Sequence, residues 1–127
     1  MKLLLDTHVL LWWLADDARL GAQARELIAD PGNDVLVSAV SLWEIVVKAR
    51  IGKLVASLDD ILDAVSANGF IRLGLENTHL RALMTLPLHH RDPFDHLLLA
   101  QALAEGAMFC SDDANAGKYG VNVVSAG

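Results

Sequence analysis

The chain has 127 residues, of which 54 % are hydrophobic and 20 % are charged. A chain of this length and composition can bury a core of its own and is too apolar to be disordered. No run approaches the ~18 apolar residues of a membrane span, and Asp6 interrupts the first apolar run too early for a secretory signal. With a single cysteine, these features predict one globular domain over residues 1–127, in the cytoplasm and without a membrane contact.

The charge balance is acidic, with ten Lys and Arg against sixteen Asp and Glu, a net charge of −6. Proteins that hold nucleic acid through phosphate contacts alone carry the opposite, basic field. If the substrate is a nucleic acid, a divalent cation or a basic partner must offset this charge.

Short apolar runs alternate with segments of helical periodicity along the chain. The predicted strands cover residues 2–5, 35–37, 70–73, 107–110 and 121–124. The predicted helices cover residues 9–14, 22–29, 41–51, 59–67, 77–86 and 93–105. This alternation predicts an α/β fold with a parallel sheet covered on both faces.

Three helices carry local signals of their own. Ser41 and Glu44, three residues apart, predict an N-cap and a capping box at the start of the third helix. In the fifth helix, Leu80 begins an i, i+3, i+4 apolar pattern typical of a buried face. Asp92 followed by Pro93 predicts the N-cap and the first turn of the sixth helix.

Acidic residues follow the predicted strands or open the neighbouring helices. They are Asp6, Glu44, Asp92, Asp95, Asp112 and Asp113. Because strand ends and helix starts meet at one edge of a parallel sheet, we expect these side chains to converge there.

Structural roles are open to several of these acids. Glu44 could serve the capping box or pair with Lys48 at i+4, and Asp92 could serve only as an N-cap. Asp112 and Asp113 could form a turn with Asn115. Clustered carboxylates oppose folding unless a counter-ion joins them, and oxygen ligands without His or Cys favour Mg²⁺ or Mn²⁺.

Four blocks of sequence resemble the signature motifs of the PIN-domain nucleases, in particular the VapC-type toxins of bacterial toxin–antitoxin pairs. The blocks are LDTHVLLW from residue 5, VSAVSLWEI from residue 37, DPFDHLLLAQA from residue 92, and SDD from residue 111. The resemblance spans essentially the whole chain. It implies a three-layer α/β/α fold with a five-stranded parallel sheet in the order 3-2-1-4-5, and a magnesium-dependent endoribonuclease.

The resemblance also assigns the catalytic and metal-binding residues, which are Asp6, Glu44, Asp95 and Asp113. Asp95 is preferred to Asp92 because the apolar stretch typical of the family follows it. Asp113 corresponds to the acid of a Thr-x-Asp motif in which Ser111 replaces the threonine. Asp112 occupies the intervening position of this motif, and Asp92 lies three residues before Asp95. Either of these two acids could assist the site.

The implied partners are an RNA substrate, a cognate antitoxin and a second copy of the chain in a homodimer. Trp12 and Trp13 are candidates to line the antitoxin groove, with the hydrophobic core as the alternative for both. Thr7 and Ser38 could orient water or phosphate, or could bond only to local backbone. A phosphate contact is also possible for the basic residues near the site, which are Arg50, Lys53, His89, His90 and Arg91.

Two other functions remain open. A haloacid-dehalogenase-like Mg²⁺ phosphatase also places an aspartate after its first strand, but it needs a second acid where this chain has His8. A PIN-like binding module without activity is the alternative that is not an enzyme.

Overall fold

The computed structural model describes residues 1–89 and 92–127. Its centre is a five-stranded, wholly parallel sheet in the order β3-β2-β1-β4-β5. The strands are β1 Lys2–Leu5, β2 Asp34–Ser38, β3 Ile71–Leu73, β4 Met108–Ser111 and β5 Val123–Ser125. The predicted fold class and strand order are therefore confirmed.

Six helices connect the strands, as predicted. They are α1 Thr7–Leu14, α2 Ala22–Ala29, α3 Ala39–Arg50, α4 Leu58–Ala67, α5 Asn77–Thr85 and α6 Pro93–Glu105. A short 3₁₀ helix at Ala116–Tyr119 precedes β5 and was not predicted. Four residues are too few for helical periodicity to appear in a sequence.

The two faces of the sheet bury separate hydrophobic clusters, as the alternating side chains of a strand require. Leu3 and Leu5 of β1 pack with Val9 and Leu10 of α1 in one cluster. Leu4 points the other way and packs with Leu98 of α6 in the second cluster. Helices on both faces give the predicted three layers. In the described residues, no helix is both long and apolar enough to cross a membrane.

The start of α3 differs from the prediction. The helix begins at Ala39, and its N-cap is Ser38, whose Oγ accepts the Val40 N–H at 3.0 Å. Ser41 lies inside the helix, and its Oγ lies 3.0 Å from Thr7 Oγ1, within hydrogen-bond distance. The predicted capping box between Ser41 and Glu44 is wrong, because the strand ends in a serine that caps the helix three residues earlier.

The buried face of α5 also differs. Leu80 and Met84 are 44 % and 86 % exposed, whereas His79 is fully buried. The His79 ring accepts the Glu76 N–H through Nδ1 at 3.0 Å, and its Nε2 lies 2.9 Å from Oε2 of Glu105 in α6. These polar contacts turn the leucine and methionine side chains outward.

Candidate active site

The acids assigned from sequence sit on four separate elements at one edge of the sheet. Asp6 directly follows β1 and precedes α1, and Asp113 lies two residues beyond the end of β4. Glu44 is in the second turn of α3, and Asp95 is in the first turn of α6. Parallel strand order brings these elements together because β1 lies between β2 and β4.

The four acids line a single open pocket of about 390 Å³. Asp92 and Asp112 line it as well, together with His8, Lys48 and Ala114. The predicted convergence of the carboxylates is therefore what the structure shows. Sequence reasoning did not place His8 or Lys48 in this site, although Lys48 was named as an i+4 partner of Glu44.

Asp6 is held by β4. It is buried, and its Oδ2 accepts a hydrogen bond from Ser111 Oγ at 2.6 Å. Ser111 Oγ in turn accepts the Asp113 N–H at 3.0 Å, so one hydroxyl positions two of the acids. Burial raises the pKa of Asp6, and the Ser111 hydrogen bond opposes that rise without cancelling it.

Glu44 is almost completely buried at 2 % exposure, and both of its oxygens have partners. Thr7 Oγ1 donates to Oε1 at 2.7 Å, and the Lys48 ammonium donates to Oε2 at 2.5 Å. The hydrogen bond to Glu44 raises the pKa of Lys48. The i+4 pair is confirmed, and the Thr7 hydroxyl fixes one oxygen of Glu44.

Asp92 and Asp95 have different roles in the first turn of α6. Asp92 is the N-cap, and its Oδ1 accepts the N–H groups of Phe94 and Asp95 at 2.9 and 3.2 Å. Asp95 projects into the pocket, where burial raises its pKa to about 8, with further contributions from Asp6, Asp92, Glu44 and Asp113. Burial and the neighbouring carboxylates thus both disfavour the charged form of Asp95.

The turn after β4 confirms part of the structural alternative for Asp113. Its Oδ1 accepts the Asn115 N–H at 2.9 Å. Asp112 is exposed, and its negative charge adds to the effect of Asp17 in raising the pKa of Arg19.

The donor set of the pocket fits a hard divalent cation, because carboxylate oxygens dominate it. Within residues 1–89 and 92–127, however, no three His, Cys, Asp or Glu side chains are arranged to hold an ion directly. The four carboxylates are therefore not a preformed cage. Mg²⁺ typically keeps several waters and uses one or two carboxylates, which requires no such cage.

Burial and hydrogen bonds show which of the other candidate residues have a structural role. Ser38 caps α3 and donates its hydroxyl to Gln101, so its contacts are structural. Trp12 is 8 % exposed in the core, so it is too buried to line a partner groove. Trp13 is half-buried, contacts Phe70 and lines a surface pocket, and it remains a candidate.

Of the basic residues near the site, Lys53 lines a second pocket, which adjoins the acidic one. Arg50 is exposed at the end of α3. The His89 N–H donates to the Tyr119 hydroxyl at 3.0 Å. His90 and Arg91 lie outside the described residues, so the phosphate contact proposed for them stays a prediction.

The sequence was compared with models of protein families and with curated protein sequences. The family model described as PIN domain matches residues 3–121. No curated protein sequence matches the chain significantly.

Several solved structures share the fold. VapBC2 from Rickettsia felis, bound to a DNA fragment from its promoter, gives a TM-score of 0.76 at 15 % identity and covers 98 % of each chain. FitAcB from Neisseria gonorrhoeae gives 0.67 at 18 % identity, covering 97 % of this chain and 96 % of that one. VapBC-1 from nontypeable Haemophilus influenzae gives 0.65 at 12 % identity, covering 98 % of each. At these identities the likeness establishes the fold alone.

Proposed function

The chain belongs to the PIN domain family, and from this premise we propose that it is a divalent-metal-dependent endoribonuclease, the toxin of a toxin–antitoxin pair. The observation that carries the proposal is the convergence of Asp6, Glu44, Asp95 and Asp113 in one pocket. Like charges brought together from distant segments oppose folding. A divalent cation bound between the carboxylates would relieve this repulsion and would also supply the charge needed beside a reacting phosphate.

The same four acids are the proposed metal site, with Mg²⁺ as the favoured ion and Mn²⁺ as a substitute. A bound divalent cation would activate water and neutralise charge on the phosphate. We propose that the products carry a 5′-phosphate and a 3′-hydroxyl, and that no side chain acts as the nucleophile.

The chain's own residues prepare this chemistry by fixing the carboxylates. Thr7 and Lys48 each hold one oxygen of Glu44, and Ser111 holds Asp6. These hydrogen bonds restrict the acids to one orientation before substrate arrives, which avoids that ordering cost during the reaction. Lys48 also offsets part of the negative charge that would otherwise repel a phosphodiester.

Asp95 is the acid whose protonation responds to charge in the pocket. With a pKa of about 8, it carries a proton at pH 7 when no cation is near. Positive charge entering the pocket lowers that pKa and releases the proton. Asp95 is therefore expected to be ionised, and able to hold the cation, once the cation has entered the pocket.

The proposed partners follow from the resemblance to VapC-type toxins and from the fold shared with VapBC and FitAcB. We propose a cognate antitoxin whose basic side chain competes for the carboxylates, with Trp13 in the groove that it occupies. We also propose a homodimer, a single domain over residues 1–127 and a cytoplasmic location. A monomer by light scattering at micromolar concentration would contradict the dimer.

The test is cleavage of single-stranded RNA by the purified chain in Mg²⁺, in Mn²⁺ and in EDTA. Asp95→Asn should abolish cleavage, whereas Asp34→Asn should not, because Asp34 is exposed at the opposite end of β2. Both variants make the same chemical change. Hydrolysis of p-nitrophenyl phosphate without cleavage of RNA would favour the phosphatase. Inactivity toward both would favour the binding module.

A further inference from the structure

A second pocket of about 400 Å³ adjoins the acidic site. Its lining residues are Thr7, His8, Leu11, Ile45, Lys48, Lys53 and Leu54. Two lysines and a histidine line it, and none of these lining residues is acidic, in a chain whose net charge is −6. Its volume lies within the roughly 300–1,000 Å³ typical of small-ligand pockets.

The end of α3 builds the cationic wall of this pocket. The Gly52 N–H donates to the Ala49 carbonyl at 3.2 Å, and the Lys53 N–H donates to the Lys48 carbonyl at 2.9 Å. Gly52 adopts a left-handed conformation with φ of 76°. This pair of bonds is a Schellman motif, which reverses the chain after the helix and puts both lysines on one pocket.

The two pockets are continuous because His8 and Lys48 line both of them. Lys48 is already bonded to Glu44, whereas no carboxylate in the described ranges lies within ion-pair distance of the Lys53 ammonium. Lys53 is exposed on the pocket rim, so its charge is available to an incoming anion.

We propose that this cationic pocket holds a nucleotide next to the scissile bond, with its phosphate on Lys53 and His8 and its sugar and base against Leu11 and Leu54. The inference deepens the proposed function and rests on it. RNA binding draws most of its affinity from phosphate contacts, and the acidic pocket by itself repels phosphate. The cationic pocket supplies an attraction for phosphate beside the carboxylates of a chain whose net charge is −6.

A carboxylate of a protein partner would also suit two lysines. The nucleotide is favoured because the cationic wall is continuous with the carboxylates that would act on the phosphodiester. The apolar walls can also pack against the flat face of a base. An acidic peptide is therefore the alternative occupant that the experiment must distinguish.

The test measures RNA binding separately from cleavage. Lys53→Gln and Lys2→Gln are made in the full chain carrying Asp95→Asn, and fluorescein-labelled single-stranded RNA of mixed sequence is titrated in Mg²⁺ at several KCl concentrations. Lys2 pairs with Glu105 at the opposite edge of the sheet, so its variant matches the charge change away from the pocket. Lys53→Gln should weaken binding several-fold and reduce the slope of log K against log salt by about 0.7, the value for one single-strand phosphate contact. Lys2→Gln should change neither.

Equal effects of the two variants, or no RNA binding by the parent chain, would overturn the subsite. So would Lys53-dependent binding of a polyglutamate peptide together with RNA binding that does not depend on Lys53. In the chain with Asp95 restored, Lys53→Gln should raise KM and leave kcat nearly unchanged. If RNA binding depends on Lys53 but the chain never cleaves RNA, the subsite stands and the proposed nuclease activity fails.

Discussion

Replacement of Asp95 by asparagine should stabilise the chain at alkaline pH while removing its activity. The pKa of Asp95 rises from an ordinary 3.8 to about 8, because burial and four neighbouring carboxylates disfavour its charge. Asparagine keeps the shape of the side chain and cannot ionise. The substitution therefore relieves the repulsion without leaving a cavity.

The sign and size of the effect follow from linkage. Between pH 3.8 and about pH 8, the folded chain retains a proton on Asp95 that the unfolded chain has lost, so the free energy of unfolding falls as pH rises. At about 1.4 kcal/mol per pKa unit, the full shift corresponds to about 6 kcal/mol. Asp95 is only half-buried, and solvent screening reduces the expected gain to about 3 kcal/mol above pH 8.

The assay is urea denaturation, followed by tryptophan fluorescence, of wild type and Asp95→Asn in EDTA at pH 4 and pH 9. We expect equal free energies of unfolding at pH 4 and a clear advantage for the variant at pH 9. Asp34→Asn, at an exposed site, should show no such pH-dependent difference. If the Asp95→Asn advantage is the same at both pH values, Asp95 is not destabilised by its neighbours and the reasoning fails.

Three further predictions test the site and its supports. Millimolar Mg²⁺ or Mn²⁺ should raise the Tm of the chain, and at a concentration a hundredfold above Kd the ion should stabilise the fold by about 2.7 kcal/mol. Asp6→Asn should reduce this shift in Tm. An unchanged Tm of the wild type would count against the metal site. Asp92→Ala should cost about 0.5–2 kcal/mol in urea denaturation, whereas Asp92→Ser should keep both the cap and RNA cleavage. Loss of cleavage in Asp92→Ser, with normal cleavage by Asp95→Asn, would move the site to Asp92. Gly52→Ala should lower the free energy of unfolding by about 1–2 kcal/mol, because a φ of 76° disfavours a side chain. It should also weaken RNA binding, because the altered turn would displace Lys53. A variant that is as stable as wild type would contradict the assigned turn.

The sequence determined the elements whose signals are local. Every predicted strand and helix exists, and the bounds of α2 are those expected from residues 22–29. The Asp92 N-cap and the pair of Glu44 with Lys48 also follow from near neighbours. The edge occupied by the acids could be predicted because parallel crossovers leave little freedom in where strand ends meet.

Tertiary contacts decided the features that depend on residues far apart in sequence. Ser38 and Ser41 are both acceptable N-caps, and the true start of α3 depends on where β2 stops pairing. The buried His79 depends on Glu105 across the helix interface, so the apolar pattern of α5 could not reveal it. Likewise, the raised pKa of Asp95 combines burial with the charges of four carboxylates, three of which come from other segments, and it reaches its full size only once the fold has brought them together. Periodicity records which side of an element is apolar, whereas hydrogen-bond partners and electrostatic fields arise from distances that only the folded chain defines.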